Sequence, residues 1–309
     1  MGINQDNIRS SIISKLTELG FQDIQAVKAG KQNHVYTCLL HGETSIVKVT
    51  DVRHRSLEAL QTQSDMLKAL HLHSAAICAP IDIKDRLSIA ELKIEELVFY
   101  VIAYTFAKGT TADIQNPDHV RLMGKSLALL HQALPGLKPY PFEEIQAQGQ
   151  HASMSQVVQY IQNAKTIYSQ ATKHFESSDK QLLHGDFNAG NVKIKGEIVH
   201  IFDFDNCVYG SATYELANTL YMVLFDQVTK GALSVYNEFR KIFFGAYQAV
   251  SDKPIDVYCI DDLIGYRVLL LASWLAQPHA APLFIRQSSQ IWLDTLDDFV
   301  HTYFEKIRQ

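Results

Sequence analysis

Cysteine is scarce in this sequence. The four residues, Cys38, Cys78, Cys207 and Cys259, lie far apart with no C-x-x-C pair. They read as reduced thiols rather than a disulfide framework or a zinc motif, which points to the cytoplasm. Long apolar runs are missing as well. The longest, VLLLASWLA at 268–276, is less than half of the ~20 residues a bilayer-spanning helix needs, so no membrane segment is expected. The N-terminal MGINQDNIRSSI is polar where a secretory signal needs an apolar core, and Asp6 breaks the myristoylation pattern. This stretch reads as a first helix. Basic residues are not in excess either: the net charge of -5 gives no electrostatic case for nucleic-acid or anionic-membrane binding, which requires clustered Lys and Arg. What is present is ordinary globular material, 47% hydrophobic and 20% charged over 309 residues, without repeats or low-complexity tracts. That length suffices for two packed units or one large one without metals or disulfides. A small-molecule partner is the expectation, and the oligomeric state leaves no mark in the sequence.

From Ile24 to Tyr104 the pattern favours strands: IQAVKAG, HVYTCLL, TSIVKVTD and ELVFYVIAY alternate or run apolar. One helix interrupts them. Ser56 to Leu72 sets Leu57, Leu60, Leu67 and Leu70 at helical spacing behind a serine cap. After Gly109 long helical periodicity takes over, in VRLMGKSLALLHQAL, SQVVQYIQNAKTIYSQATKHF and YELANTLYMVLFDQV. Within it, NVKIKGEIVHIFDF reads as a hairpin turning at Lys195-Gly196. A small sheet-rich N-terminal part, 1–104, and a larger helical part, 105–309, are expected.

The stretch LLHGDFNAGNVKIKGEIVHIFDFD at 182–205 crowds acids, amides and a histidine among short apolar runs. Metal-assisted phosphoryl transfer calls for this set: a carboxylate to align the accepting hydroxyl, and an amide oxygen and second carboxylate to hold magnesium, which prefers hard oxygen ligands. Asp186, Asn191 and Asp203 supply them in the spacing H-x-D-x-x-x-x-N followed by an acid on an apolar strand. Lys48 is a lone cation at the centre of IVKV, where a charge is unfavourable unless it meets an anion.

HGDFNAGNV and IFDFDNCVYGSATYELA resemble the catalytic core of the aminoglycoside phosphotransferase and choline kinase-like family, small-molecule relatives of the protein kinases. The resemblance covers most of the chain. GKQNHVY and IVKV resemble the family's nucleotide loop and lysine strand, and LMGKSLALLHQAL its Gly-then-Leu-His helix. FRKIFFGAY and YRVLLLASWL are similar to the subgroup of homoserine kinase-like and stress-response kinase-like members. The resemblance implies an α+β, two-lobed protein-kinase-like fold, with an antiparallel-sheet nucleotide-binding N-lobe and a helical C-lobe for catalysis and acceptor binding. It implies Asp186 as catalytic base, Asn191 and Asp203 as magnesium ligands, and Lys48 on the α- and β-phosphates of ATP. Gly30 and Asn33 belong to the nucleotide loop, and the backbone of Tyr104 and Phe106 to the adenine contact.

The sequence departs from that pattern in places. Gln63 stands where protein kinases pair the lysine with a helix glutamate, leaving Glu58 and Asp65 as substitutes. Only Gly30 remains of the glycine-rich loop. Asp205 replaces the glycine of D-F-G, and Glu215 stands where the family often has Asp. His184 and His131 read as packing and hydrogen-bonding residues, and the pair His71 and His73 as a solvated helix end rather than a metal site. Arg267 shares a helical face with Leu270, Leu271 and Trp274 and needs an anion, either a structural carboxylate or a bound substrate. Asp205, Glu215 and Arg267 are the expected acceptor residues. The expectation is transfer of the ATP γ-phosphoryl group to a hydroxyl of an amino-acid-like or amino-alcohol-like molecule. A stress-response protein serine/threonine kinase, an aminoglycoside phosphotransferase and a silent nucleotide-binding module are the alternatives.

Overall fold

The alternating apolar residues of 33–51 fold as a hairpin, and the chain on either side builds a sheet around it. The computed structural model describes residues 5–27, 33–74, 76–84, 87–137, 139–145, 157–158, 161–253, 255–277 and 290–308. The chain divides into two compact units, residues 1–108 and 109–309.

The first unit contains α1 (Gln5–Glu18), β1 (Gln22–Ala26), β2 (Asn33–Leu40), β3 (Glu43–Asp51), α2 (Leu57–His73), β4 (Pro80–Ile81), β5 (Ile89–Ile94) and β6 (Leu97–Thr105). The strands form one antiparallel sheet in the order β1-β2-β3-β6-β4, with β5 also paired to β6. One face buries Tyr36, Val47, Val49, Val101 and Ala103 against Ile12 and Leu16 of α1. The other carries Ile89 and Ile102 against Leu60 of α2, flanked by Tyr100 and Tyr104. Helix α2 begins as the sequence predicts, with Ser56 Oγ accepting from the Ala59 N–H at 3.1 Å. Strand β5, IAELKI, escapes the sequence reading although its inward residues are buried.

The second unit contains β7 (Thr110–Thr111), α3 (Pro117–Ala133), α4 (Ala164–Ser177), β8 (Gln181–Leu183), β9 (Val192–Lys195), β10 (Ile198–Ile201), β11 (Val208–Gly210), α5 (Ala212–Thr229), α6 (Leu233–Gln248), α7 (Ile260–Ala276) and α8 (Gln290–Thr302). The expected hairpin is β9–β10, with Ile198 opposite Lys195, and β7 adds to its free edge. Strand β8 pairs with β11, which holds the two ends of the acid-rich stretch together. Helix α3 meets α6 so closely that a Cβ on Gly124 would lie 2.4 Å from the Phe243 carbonyl oxygen. Helix α7 is not the one-sided stripe that the spacing suggests: Leu263, Ile264, Tyr266, Val268, Leu269, Leu270 and Leu271 are all buried, because α4, α5 and α8 pack around it. On α8, Asp294, Asp297 and Asp298 face solvent. Among the described residues no helix is long and apolar enough to cross a membrane.

Candidate active site

The loop from His184 to Asn191 leaves β8 and enters β9, and its backbone is bound side by side to one face of α5. Ser211 caps that helix, its Oγ accepting from the Tyr214 N–H at 3.1 Å. Glu215, Asn218 and Thr219 then fall at i, i+3 and i+4, a polar face on an otherwise buried helix. The Glu215 carboxylate accepts from the backbone N–H groups of Gly185 and, at 3.1 Å, His184. Asn218 Nδ2 donates to the Gly185 carbonyl at 3.1 Å, and Thr219 Oγ1 to the Phe187 carbonyl at 2.8 Å. Gly185 has φ +81°, and a Cβ there would sit 1.8 Å from the Asn206 carbonyl oxygen, so only glycine lets the loop lie this close to the segment after β10. His184 accepts the Asp186 N–H on Nδ1 at 3.3 Å and donates from Nε2 to the Phe202 carbonyl at 3.0 Å. These two bonds require the neutral Nε2–H tautomer, a bracing role.

These contacts fix Asp186. Asn188 Nδ2 donates to its Oδ1 at 3.0 Å, and Asn191 Nδ2 donates to its Oδ2 at 3.0 Å and to its backbone carbonyl at 2.8 Å. Burial pushes the Asp186 carboxyl up from its ordinary value; the charge of Asp203 acts the same way, and the two amides only partly oppose it. Asp203 is exposed and holds a left-handed backbone, φ 65° and ψ 58°, at the head of the turn Phe204–Asn206. A non-glycine residue there is uncommon, and such strain clusters at functional sites. Asp205 lies half-buried inside the same turn. With its amide nitrogen committed to Asp186, Asn191 presents its Oδ1, and that oxygen with the Asp203 carboxylate is a hard donor set suited to magnesium.

Glu215 is a correction. Expected among the acceptor residues, it is 1% exposed, and both carboxylate oxygens are occupied by the loop and by His131, whose Nε2 donates to it at 2.8 Å. Burial alone would raise its pKa, but the His131 bond and charge, His184 and the Gly185 N–H outweigh burial and hold it below the ordinary value. Arg267 lies beside this assembly. Its guanidinium carbon sits 5.4 Å from the centre of the Tyr221 ring. Burial opposes its charge, but Tyr214, Tyr221 and the Asp186 carboxylate favour it and prevail. Its Nε–H is buried without a hydrogen bond, as is Asn218 Oδ1.

In the first unit Lys48 stands opposite Val35 and Ile102 on an inner strand, on the sheet face that α2 covers, rather than on an edge. Gln63 is buried and accepts from Arg55 Nη1 at 3.1 Å. The acidic substitutes Glu58 and Asp65 are exposed, and Asp65 accepts from Gln61 at 2.9 Å. Tyr104 lies within β6, opposite Ile46 and Pro80, and Phe106 follows the end of that strand. Asn33 opens β2, and Gly30 lies outside the described residues.

The model of the phosphotransferase enzyme family matches residues 23–253. The chain belongs to this family. Its fold is also found in an amicoumacin kinase solved in complex with AMP-PNP, Ca2+ and Ami, at 19% identity over 98% of this chain and 97% of that one, with a TM-score of 0.74. A microcompartment-associated aminopropanol kinase is 14% identical over 94% and 97%, TM-score 0.67. A spectinomycin phosphotransferase solved with ADP and spectinomycin is 16% identical over 94% of each chain, TM-score 0.60. A search among curated proteins gave no match. The chain is thus a member of the phosphotransferase enzyme family with a kinase-like α+β fold.

Two residues that brace the loop of this phosphotransferase carried no role in the sequence reading, Asn188 and Thr219; His131, read there as a packing and hydrogen-bonding residue, holds Glu215. The signal for Thr219 was available, since three polar residues at i, i+3 and i+4 on an apolar helix need polar partners. Asn188 had none, because an amide two residues from an acid looks alike in sequence whether it faces solvent or the carboxylate.

Proposed function

We propose that this phosphotransferase moves the γ-phosphoryl group of ATP, with magnesium, to the hydroxyl of a compact molecule bearing an anion and an amine. A hydroxy amino acid has that chemistry, with amino alcohols the neighbouring class. The observation that carries the reading is the Asp186 carboxylate, gripped by Asn188 and Asn191 on a loop whose backbone Glu215, Asn218 and Thr219 hold from one helix face. A carboxylate so held can orient an acceptor hydroxyl and take its proton as the oxygen attacks, and positioning supplies most of the catalysis in phosphoryl transfer. Asn191 and Asp203 would hold magnesium, which neutralises phosphate charge when bound.

Residues 1–104 would serve the nucleotide: Lys48 its α- and β-phosphates, the Gly30–Asn33 segment its phosphates, and the backbone at Tyr104 and Phe106 its adenine. Residues 105–309 would serve catalysis and acceptor. Arg267, with an unsatisfied buried Nε–H, suits an anion, and Asn218 Oδ1, an unsatisfied buried acceptor, suits an ammonium; Asp205 adds a second carboxylate for the amine. ATP as donor and four free cysteines fit the cytoplasm. Calorimetry tests the nucleotide assignment. Asp203→Ala is expected to abolish the magnesium dependence of ATP binding, and Lys48→Ala to weaken ATP binding at least about tenfold, the loss of one charge-assisted contact. Unchanged Mg-ATP affinity in both variants would contradict it.

A further inference from the structure

Beyond the hard-oxygen site, the second unit gathers a softer set of ligands. His174 in the last turn of α4, Asp256, and Cys259 just ahead of α7 bring a ring nitrogen, a carboxylate oxygen and a sulfur within 4.8 Å of one another. Sequence spacing hides this cluster, because α4 and α7 meet only in the folded chain. His174 and Cys259 are half-buried and Asp256 is exposed, so the corner is shielded on one side and open on the other. The Asp256 Oδ1 accepts from the Tyr258 N–H at 3.0 Å, leaving its second oxygen for a ligand role. The Cys259 thiol donates to the Asp256 carbonyl at 3.1 Å.

The imidazole is braced from behind. Ser178 Oγ donates its proton to the His174 carbonyl and so accepts from His174 Nε2–H at 3.0 Å. Ser211 Oγ lies 2.9 Å from the same nitrogen. The Nε2–H tautomer leaves the lone pair on Nδ1, and metal-binding histidines are commonly oriented by a polar group on their other nitrogen.

We propose that His174, Asp256 and Cys259 form a binding site for a zinc-class transition metal, with three protein ligands and a water completing a tetrahedron. Thiolate and imidazole select zinc or cobalt over magnesium and calcium, which keeps this site chemically separate from Asn191 and Asp203. On binding, the S–H proton is released to solvent as the sulfur–metal bond forms, with no redox change. Ser211, which braces His174, also caps α5, so occupancy would tie α4 and α7 to the helix that holds the Asp186 loop.

The test is a cobalt titration of the full chain, stripped with chelator, without nucleotide and with saturating magnesium. The expected result is one cobalt per chain with a thiolate-to-cobalt charge-transfer band, displaced by zinc. Cys259→Ser should abolish the band, and Asp256→Asn should lower affinity at least about tenfold. Cobalt at Asn191 and Asp203 would give no such band, since neither residue carries sulfur. Absence of the band, or its persistence in Cys259→Ser, overturns the proposal. Should Cys259→Ser fail to fold, alkylation of the wild-type chain followed by peptide mass analysis decides instead: zinc must slow modification of Cys259, and equal rates with and without zinc overturn the site.

Discussion

Asp186 carries the largest single expectation. Asp186→Asn should lower kcat at least roughly a hundredfold, the scale of losing a positioned base, with little change in ATP affinity; near-normal turnover would remove it from the mechanism. Glu215 makes a different prediction, because its charge is spent on the fold. Its pKa is held below the ordinary glutamate value of 4.5 in the folded chain, so its stabilising contribution is complete above that value and is lost as pH falls through the depressed folded value. Glu215→Gln swaps one acceptor oxygen for a donor amide facing N–H groups, a loss of about 2 kcal/mol at neutral pH. In denaturant titrations the gap between variant and wild type should close below about pH 4.5, the unfolded-state value; a gap constant with pH would show that the carboxylate charge is not what holds the loop. Spacing and residue type singled out Asp186, Asn191 and Asp203, and the fold brings Asp186 and Asn191 into hydrogen-bond contact. The same reading misplaced Glu215, because a buried acid beside a catalytic motif looks alike in sequence whether it faces a ligand or the backbone.

At the level of elements, α5 is the part that turns a loop into a site. Its i, i+3, i+4 polar face binds four backbone groups of residues 184–187, so small displacements of the loop relative to the helix should translate into rate. Gly185→Ala tests this, since its Cβ has no room beside the Asn206 carbonyl oxygen at 1.8 Å. A shift of about 1 Å at a reacting group is worth on the order of a hundredfold in rate. The variant should lose kcat on that scale while keeping its far-ultraviolet circular dichroism and its ATP affinity, and normal turnover would show that the loop tolerates movement. Element legibility followed pattern strength. Helix α2 and the hairpin β9–β10 emerged from periodicity, a cap and a turn. Strand β5 was missed although Glu91 and Lys93 alternate with Ala90, Leu92 and Ile94, because the run is short and Glu, Lys and Ala are depleted in strands. Helix α7 was misread as one-sided because three helices surround it, which no local pattern records.

Acceptor choice belongs to the molecule as a whole, because it depends on where charge is left unsatisfied once the helices have packed. Polycationic antibiotics need several carboxylates matched to several ammonium groups. Residues 206–309 hold 11 Asp and Glu against 8 Lys and Arg, and that small excess is dispersed. Asp294, Asp297 and Asp298 face solvent on α8, Asp261 pairs with Arg240 at 2.7 Å, Asp262 pairs with Arg308, and Glu215 is consumed by the loop. A buried cation with an unsatisfied Nε–H remains within the field of Asp186, on the helix packed against α5. On the proposed reading, such a cation would favour a small acceptor carrying an anion over a large cation. A hydroxy amino acid is therefore expected to be phosphorylated with a higher kcat/KM than any aminoglycoside. Arg267→Ala should raise the KM for that acceptor at least about tenfold with kcat nearly unchanged, the signature of lost ground-state binding. It should destabilise the fold by about 2 kcal/mol, the worth of its contact with Tyr221 and its hydrogen bond with Tyr214. If kanamycin-type compounds prove the better substrates, or if Arg267→Ala unfolds the chain, the guanidinium is part of the helical core and the anion-bearing acceptor is wrong.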